Sequence, residues 1–279
     1  MSNAVADLAA HPVPALIMMV PLLVIATLVT QAFSFEAIRL LEGYWGWRWM
    51  SLVAKVLVWR HARRKNSIYE GAKRESIKAF NKALPHIIRE SPEGLTGPVV
   101  RAVEAQLSHS PVPSLEGSEA QAYVRTIHTW KDQADAWRLE KVERLVAEYE
   151  LYPDDSRVRP TKLGNLLRAT EDELKHAGDD VQRFAFRYRE RVPPRVRLQH
   201  DQYRTRLDMY CTLVFVSLFL AVMTSVILVG GIGILATMIT TGGFSLMAVV
   251  SYLAAISSAK AYCTILKQMD EAAEVPVKR

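Results

Sequence analysis

An all-α integral membrane protein, three transmembrane helices plus a cytoplasmic helical domain, is the fold class this sequence predicts. Three observations lead there. Leu8 to Phe35 contains no Asp, Glu, Lys or Arg. Met209 to Ala259, a run of 51 residues, contains none either. A bilayer core about 30 Å thick takes about 20 apolar residues of helix, so the first run accommodates one span and the second accommodates two. The third observation is the long charged stretch between these runs, whose apolar residues recur at helical spacing.

Residues 1–35 are expected to form the N-terminal span. Asp7 and His11 precede the apolar run where a signal peptide would carry Lys or Arg, so the segment reads as a retained helix. Pro12 and Pro14 mark its entry, and Pro21 a kink. Residues 36–65 are expected to be an interfacial, basic and Trp-rich helix. Glu36, Arg39 and Glu42 recur at three-residue spacing, so Arg39 can pair with either acid across one turn. Such a trio serves as a well-anchored helix end or as a docking face for a partner. Trp45, Trp47, Trp49 and Trp59 then suit the acyl–headgroup boundary, with Arg60, Arg63 and Arg64 beside them as membrane-interface cations.

Residues 66–207 are expected to form the cytoplasmic helical domain. A helix from Ser67 to Glu90 is interrupted at Pro85, and "SHSPVPSLEGS" is a linker by composition. Glu119 to Tyr149 predicts one long amphipathic helix. Its apolar stripe includes Tyr123, Ile127, Trp130, Ala134 and Trp137, suited to a bundle core or to contact with another subunit. In "RPTKLGNLLRATEDE", Thr161 caps a helix beginning near Lys162. Gly164 in its first turn allows another backbone or the membrane to approach closely. Thr161, Leu163, Gly164 and Asn165 are therefore candidate partner or self-contact residues. From Pro194 a helix should run unbroken into the second span, there being no Pro or Gly from Arg197 to Tyr210.

Residues 208–262 form the expected transmembrane hairpin and 263–279 the cytoplasmic tail. Ser251 and Ser257 are candidate helix-packing or pore-lining residues. Cys211 and Cys263 should lie near one membrane face, filling helix contacts.

Charge orients the chain. Arg48 to Lys65 carries six basic residues and no acid, and Arg183 to Arg206 carries eight arginines against Glu190 and Asp201. Asn66 to Gln182, between these belts, has 16 basic and 20 acidic residues. Basic residues within about 20 positions of a span mark the cytoplasmic side. The N-terminus is then outside, and the central region and C-terminus inside. The partners this implies are a bilayer with anionic headgroups, together with copies of the chain or another membrane protein. The belts also suit nucleic acid, which the membrane explanation makes unlikely.

"FEAIRLLEGYWG" resembles a stretch found in uncharacterised multi-span membrane proteins of actinobacterial type. "RPTKLGNLLRATEDE" is similar to the Pro-Thr-x-Leu-Gly-Asn element of that group. "AYCTILKQMDEAA" is similar to its terminal helix, with Cys263 where a Gly is usual. The resemblance implies a bacterial inner (cell) membrane location and supports the multi-span architecture, and it brings no activity with it.

Sites for chemistry are scarce. "GGIGILA" formally contains a Gly-x-Gly-x-x-Ala pattern, but it lies inside an uncharged run with no acidic residue following at the spacing a dinucleotide site needs. Asp154 and Asp155 are adjacent in a turn with no third ligand spaced to join them. No catalytic residue, metal or cofactor is expected. The function expected is a non-enzymatic, membrane-anchored helical scaffold or sensor that binds a partner or self-assembles through its cytoplasmic domain. The alternative is an oligomeric pore-forming or membrane-disrupting effector. A membrane-bound enzyme ranks third, for want of an acid, His or metal cluster in or beside the spans.

Overall fold

A computed structural model of the protein describes residues 24, 28, 32–46, 50–90, 95–175, 184–185, 187, 192–228 and 233–274. Among these residues all regular structure is helical. The chain divides into two compact units, one of Met1–Val58 with Ser156–Arg279 and one of Trp59–Asp155. Most of the expected first span lies outside the described residues, as do Trp47 and Trp49. Val24, Leu28 and residues 32–42 are helical, and the continuous piece 32–42 is α1.

Helix α1 ends where the sequence supplies the means. Gly43 adopts φ +90°, Gly43 N–H donates to Leu40 O at 3.1 Å and Tyr44 N–H donates to Arg39 O at 3.0 Å. These paired bonds are those of a glycine C-cap, with Glu42 as the last, half-in residue. The Trp45 indole N–H adds a bond to Leu40 O at 2.8 Å. The interfacial segment 36–65 is thus split: α1 finishes at 42 and a new helix, α2 (Met50–Glu90), begins after it. In α2, Leu52, Val56 and Trp59 are exposed at steps of four and three, with Arg63 one turn on, stacked 5.3 Å from the Trp59 ring. Pro85 stands inside α2 without ending it. It lies on the exposed side, where the carbonyl it strands can be hydrated.

In the 59–155 unit, α2 packs with α3 (Gly97–Leu107), α4 (Gly117–Thr129) and α5 (Ala136–Tyr149). Ala79, Phe80, Ala83, Ile87, Val103 and Trp130 form the core. The single long helix expected over 119–149 is instead two. Trp130 turns inward through a 3-10 turn, Trp130–Gln133, to meet Phe80 edge-on at 6.0 Å between ring centroids. Ala134 then extends, and Asp135 caps the next helix by accepting from Trp137 N–H at 3.2 Å. The break moves Trp137 off the stripe, leaving it 62% exposed.

In the other unit, α6 (Lys162–Glu173) precedes two long helices, α7 (Pro194–Leu228) and α8 (Ile234–Glu274). Stretches of 34 and 39 residues within α7 and α8 are long and apolar enough to cross a membrane. The two pack antiparallel. The His200 ring meets that of Tyr262 at a tilt with centroids 5.2 Å apart, Ser258 Oγ donates to Tyr203 O at 3.2 Å, and Ser225 and Thr241 share a bond at 3.1 Å. Thr237, Ala248, Ser251, Ala255, Ser258 and Tyr262 form the buried seam of α8, facing Leu207, Cys211, Val214, Ser217 and Ala221 of α7. Small residues along this seam let the two backbones approach closely.

Both cysteines are buried and free. Cys263 is beside Tyr262, at the level of His200, whereas Cys211 is some eleven residues further along α7. That separates the two by about 16 Å at 1.5 Å per residue, so they share a half of the hairpin and not one level.

Ser251 is 3% exposed in the seam, whereas Ser257 points outward. Ser251→Leu should overpack the hairpin and cost about 1–3 kcal/mol, read as a lower thermal midpoint in detergent. Ser257→Leu should leave that midpoint unchanged, and an equal loss would place Ser257 in a contact between copies.

Candidate functional site

The two sequence elements singled out above, "FEAIRLLEGYWG" and "RPTKLGN", meet in the structure. Helix α6 starts at a capped first turn. Thr161 Oγ1 accepts from Gly164 N–H at 3.0 Å. Asn165 N–H reaches Thr161 O at 3.1 Å. The Tyr252 hydroxyl, from α8, lies against the backbone of Lys162 and Leu163. Asn165 is 1% exposed. Its side chain grips Arg159 on both sides, accepting from Arg159 N–H at 2.7 Å and donating to Arg159 O at 3.0 Å. These bonds fix the chain just before the helix and position Pro160.

Against this start lies the end of α1. A Cβ on Gly164 would overlap the carbonyl oxygen of Glu42 and stand 2.8 Å from its carbon. A Cβ on Gly43 would stand 2.6 Å from two ring carbons of Pro160. The close approach that Gly164 permits is therefore to the C-cap of α1, inside the same chain. Leu163, Gly164 and Asn165 are buried there, and Thr161 is half-buried as the cap. The far end of α6 is tied to α8 as well. Glu173 pairs with Lys267, and Lys175 N–H donates to Asp270 Oδ2 at 3.0 Å. The stretch from Ser156 therefore belongs with the long helices.

Of the trio in α1, Arg39 pairs with Glu36 at 3.6 Å, both largely exposed. Glu42 instead lines a cavity of about 170 Å³. Ser34, Phe35 and Ile38 of α1, Glu171 of α6, Arg204 and Asp208 of α7, and Tyr262 of α8 line it too. Burial, and then the nearby Glu171 carboxylate, push the Glu42 carboxyl up to about 7, against the pull of Arg168, Arg159 and Arg39. A carboxyl so placed exchanges its proton near neutral pH.

Around the adjoining Tyr44 three guanidinium groups converge, those of Arg159 at 4.4 Å, Arg168 at 5.8 Å and Arg39 at 5.9 Å from the ring centroid. Arg168 also donates to the Tyr44 hydroxyl at 2.7 Å and pairs with Glu171. Tyr44, Arg159 and Arg168 were legible only as members of the quoted stretches. Their one signal was that an aromatic follows the Gly of the first stretch and an Arg opens the second.

The remaining interface candidates have mixed surroundings. Trp45 spends its N–H on capping α1. Trp59, Arg60 and Arg63 are exposed on α2. Arg64 pairs with Glu148 at 2.7 Å, within the 59–155 unit. Lys65, 6% exposed, donates to Pro153 O at 2.8 Å and to Asp155 at 2.7 Å, so Asp155 serves as its counter-ion. No protein-family model, curated protein or solved structure matches this chain.

Two outcomes follow. Gly164→Ala should destabilise the protein by roughly 2 kcal/mol or more, because backbone faces the new methyl on one side, read as a lower thermal midpoint. Gly242→Ala, in open space within α8, should lack that loss. A raised carboxyl pKa favours the folded state while protonated, so Glu42 contributes most below about 4.5, and that contribution is lost as pH rises to about 7. The thermal midpoint should therefore fall between pH 5 and pH 8, and Glu42→Gln should flatten that fall.

Proposed function

We propose that this protein is a multi-pass membrane protein of the bacterial inner (cell) membrane, a non-enzymatic helical scaffold or sensor. Its N-terminus is outside and its C-terminus inside, with three spans. The 59–155 unit is the part that meets a partner or another copy. The observation that carries this reading is the outer surface of α7 and α8. Phe219, Val226, Ile234, Leu235, Met238 and Ile239 are each more than 60% exposed. So large an apolar surface needs lipid to cover it. The backbone beneath it is satisfied within its own helices, as a bilayer requires. Both charged ends of the hairpin, Arg204–Asp208 and Lys260–Lys267, fall on one side.

The 59–155 unit offers an exposed Trp137 and Val146 on α5, a helix with no fully buried residue. Helix α7 runs unbroken from Pro194 to Leu228. It gives the sensor reading its physical route, since displacement at one end of a rigid helix is felt at the other. A pore is less well supported. Thr237, Thr240 and Ser245 in α8 spend their hydroxyls on their own helix, donating to Gly233 O, Ala236 O and Thr241 O.

Reporters fused at the N-terminus should read outside, and those placed near Ser114 and after Arg279 should read inside. Purified protein in liposomes should pass no ions. An internal N-terminus would remove the three-span arrangement, and parental flux that falls on adding bulk at Ser251 or Ser257 would replace the scaffold with a pore.

A further inference from the structure

We propose that Arg159, Arg168 and Arg39, gathered around the Tyr44 ring, form a binding site for a phosphate-bearing anion, the headgroup of an anionic lipid in the inner leaflet. The lipid source rests on the membrane reading above, whereas the phosphate chemistry stands on the site itself. A planar guanidinium presents paired N–H donors matched to phosphate oxygens, and stacking on an aromatic face holds it in plane without using those donors. Arg159 is the centre of the arrangement. Asn165 clamps its backbone from both sides, its guanidinium stacks on Tyr44 at 4.4 Å, and it has no ion pair within 4 Å among the described residues. The Nε atoms of Arg159 and Arg168 are buried and have no hydrogen-bond partner among the described residues. Tyr44 itself is 39% exposed, so the cluster is open to a ligand.

The local acids leave room for an added anion. Glu171 is shared by Arg157 at 3.5 Å and Arg168, and Glu36 is held by Arg39. Glu42 is the acid that all three arginines face, and its burial keeps it partly protonated at neutral pH. From α7 the charged groups on its cavity are Arg204 and Asp208, and from α8 the titratable ones are Tyr262 and Cys263. Arg204 is engaged with the Tyr262 hydroxyl. An arriving phosphate therefore competes with the Glu42 carboxylate for the three cations and favours its protonated form, so binding tightens as pH falls.

Depth agrees with this assignment. Tyr252 touches the start of α6 at the level of Cys211, three residues inside the last charge of α7, Asp208. The site thus stands where hydrocarbon gives way to headgroups in the three-span reading.

The test reconstitutes the full chain in vesicles of phosphatidylcholine alone and with added phosphatidylglycerol, and counts retained lipid by native mass spectrometry. Phosphatidylglycerol should be retained preferentially, and Arg159→Gln should weaken its binding by about fivefold or more. Arg74→Gln, exposed on the part of α2 within the 59–155 unit, should not. Binding should strengthen from pH 8 to pH 6 in the parent and lose that dependence in Glu42→Gln. Arg168→Gln gives the same reading should Arg159→Gln fail to fold.

Inorganic phosphate is tested on the same proteins in detergent. Phosphate that displaces the lipid at equal concentration, with the same dependence on Arg159, would overturn the lipid source and assign the site to a soluble phosphate. Unchanged lipid retention in folded Arg159→Gln and Arg168→Gln would overturn the site. Failure to insert into either vesicle would overturn the membrane reading instead.

Discussion

The contact between the carbonyl of Glu42 and the Cα of Gly164 is the constraint on which this half of the molecule depends. It joins the end of one helix to the start of another, at a distance no side chain permits. Each partner in the contact is prepared locally. Gly43 turns the chain out of α1 through a left-handed residue that costs other residues about 1–2 kcal/mol. Asn165 and Thr161 set the entry to α6, so the glycine of its first turn faces outward to the carbonyl. Interior packing tolerates no slack of a methyl group, so these preparations succeed together or fail together.

From that contact the chemistry of the site follows. Docking α6 against α1 brings Arg159 and Arg168 to Tyr44 and buries the Glu42 side chain among them. The same helix, pinned along α8 by Tyr252, Lys267 and Asp270, ties this cluster to the apolar hairpin. Two acids, Glu42 and Glu171, three guanidiniums and a phenol thus share a single location.

Much of the architecture was legible in the sequence because charge and hydropathy are read residue by residue. The charge-free run from Met209 to Ala259 and the unbroken stretch after Pro194 each announced a helix that the structure contains. Gly164 announced a close approach, but not to what, since a sequence gives no distance between positions 42 and 164. The stripe through Trp130 and Trp137 misled because its spacing is helical on both sides of Asp135, and only the inward turn of Trp130 onto Phe80 breaks it. Pro85 misled in the opposite direction, since an exposed proline can sit in a helix whose other side is held in a core. Arg159 was invisible as a site residue for a simpler reason. A lone arginine before Pro160 means nothing until Tyr44 is placed beneath it.

A double-mutant cycle on Gly43→Ala and Gly164→Ala, followed by thermal unfolding in detergent, tests the central contact most directly. If one docked junction is what both glycines serve, the first substitution forfeits what the second would lose. The double variant should then be little less stable than the worse single variant, with a coupling of roughly 1 kcal/mol or more. Losses that add in full would mean that the two glycines act independently, and the junction between α1 and α6 would not be the constraint described here.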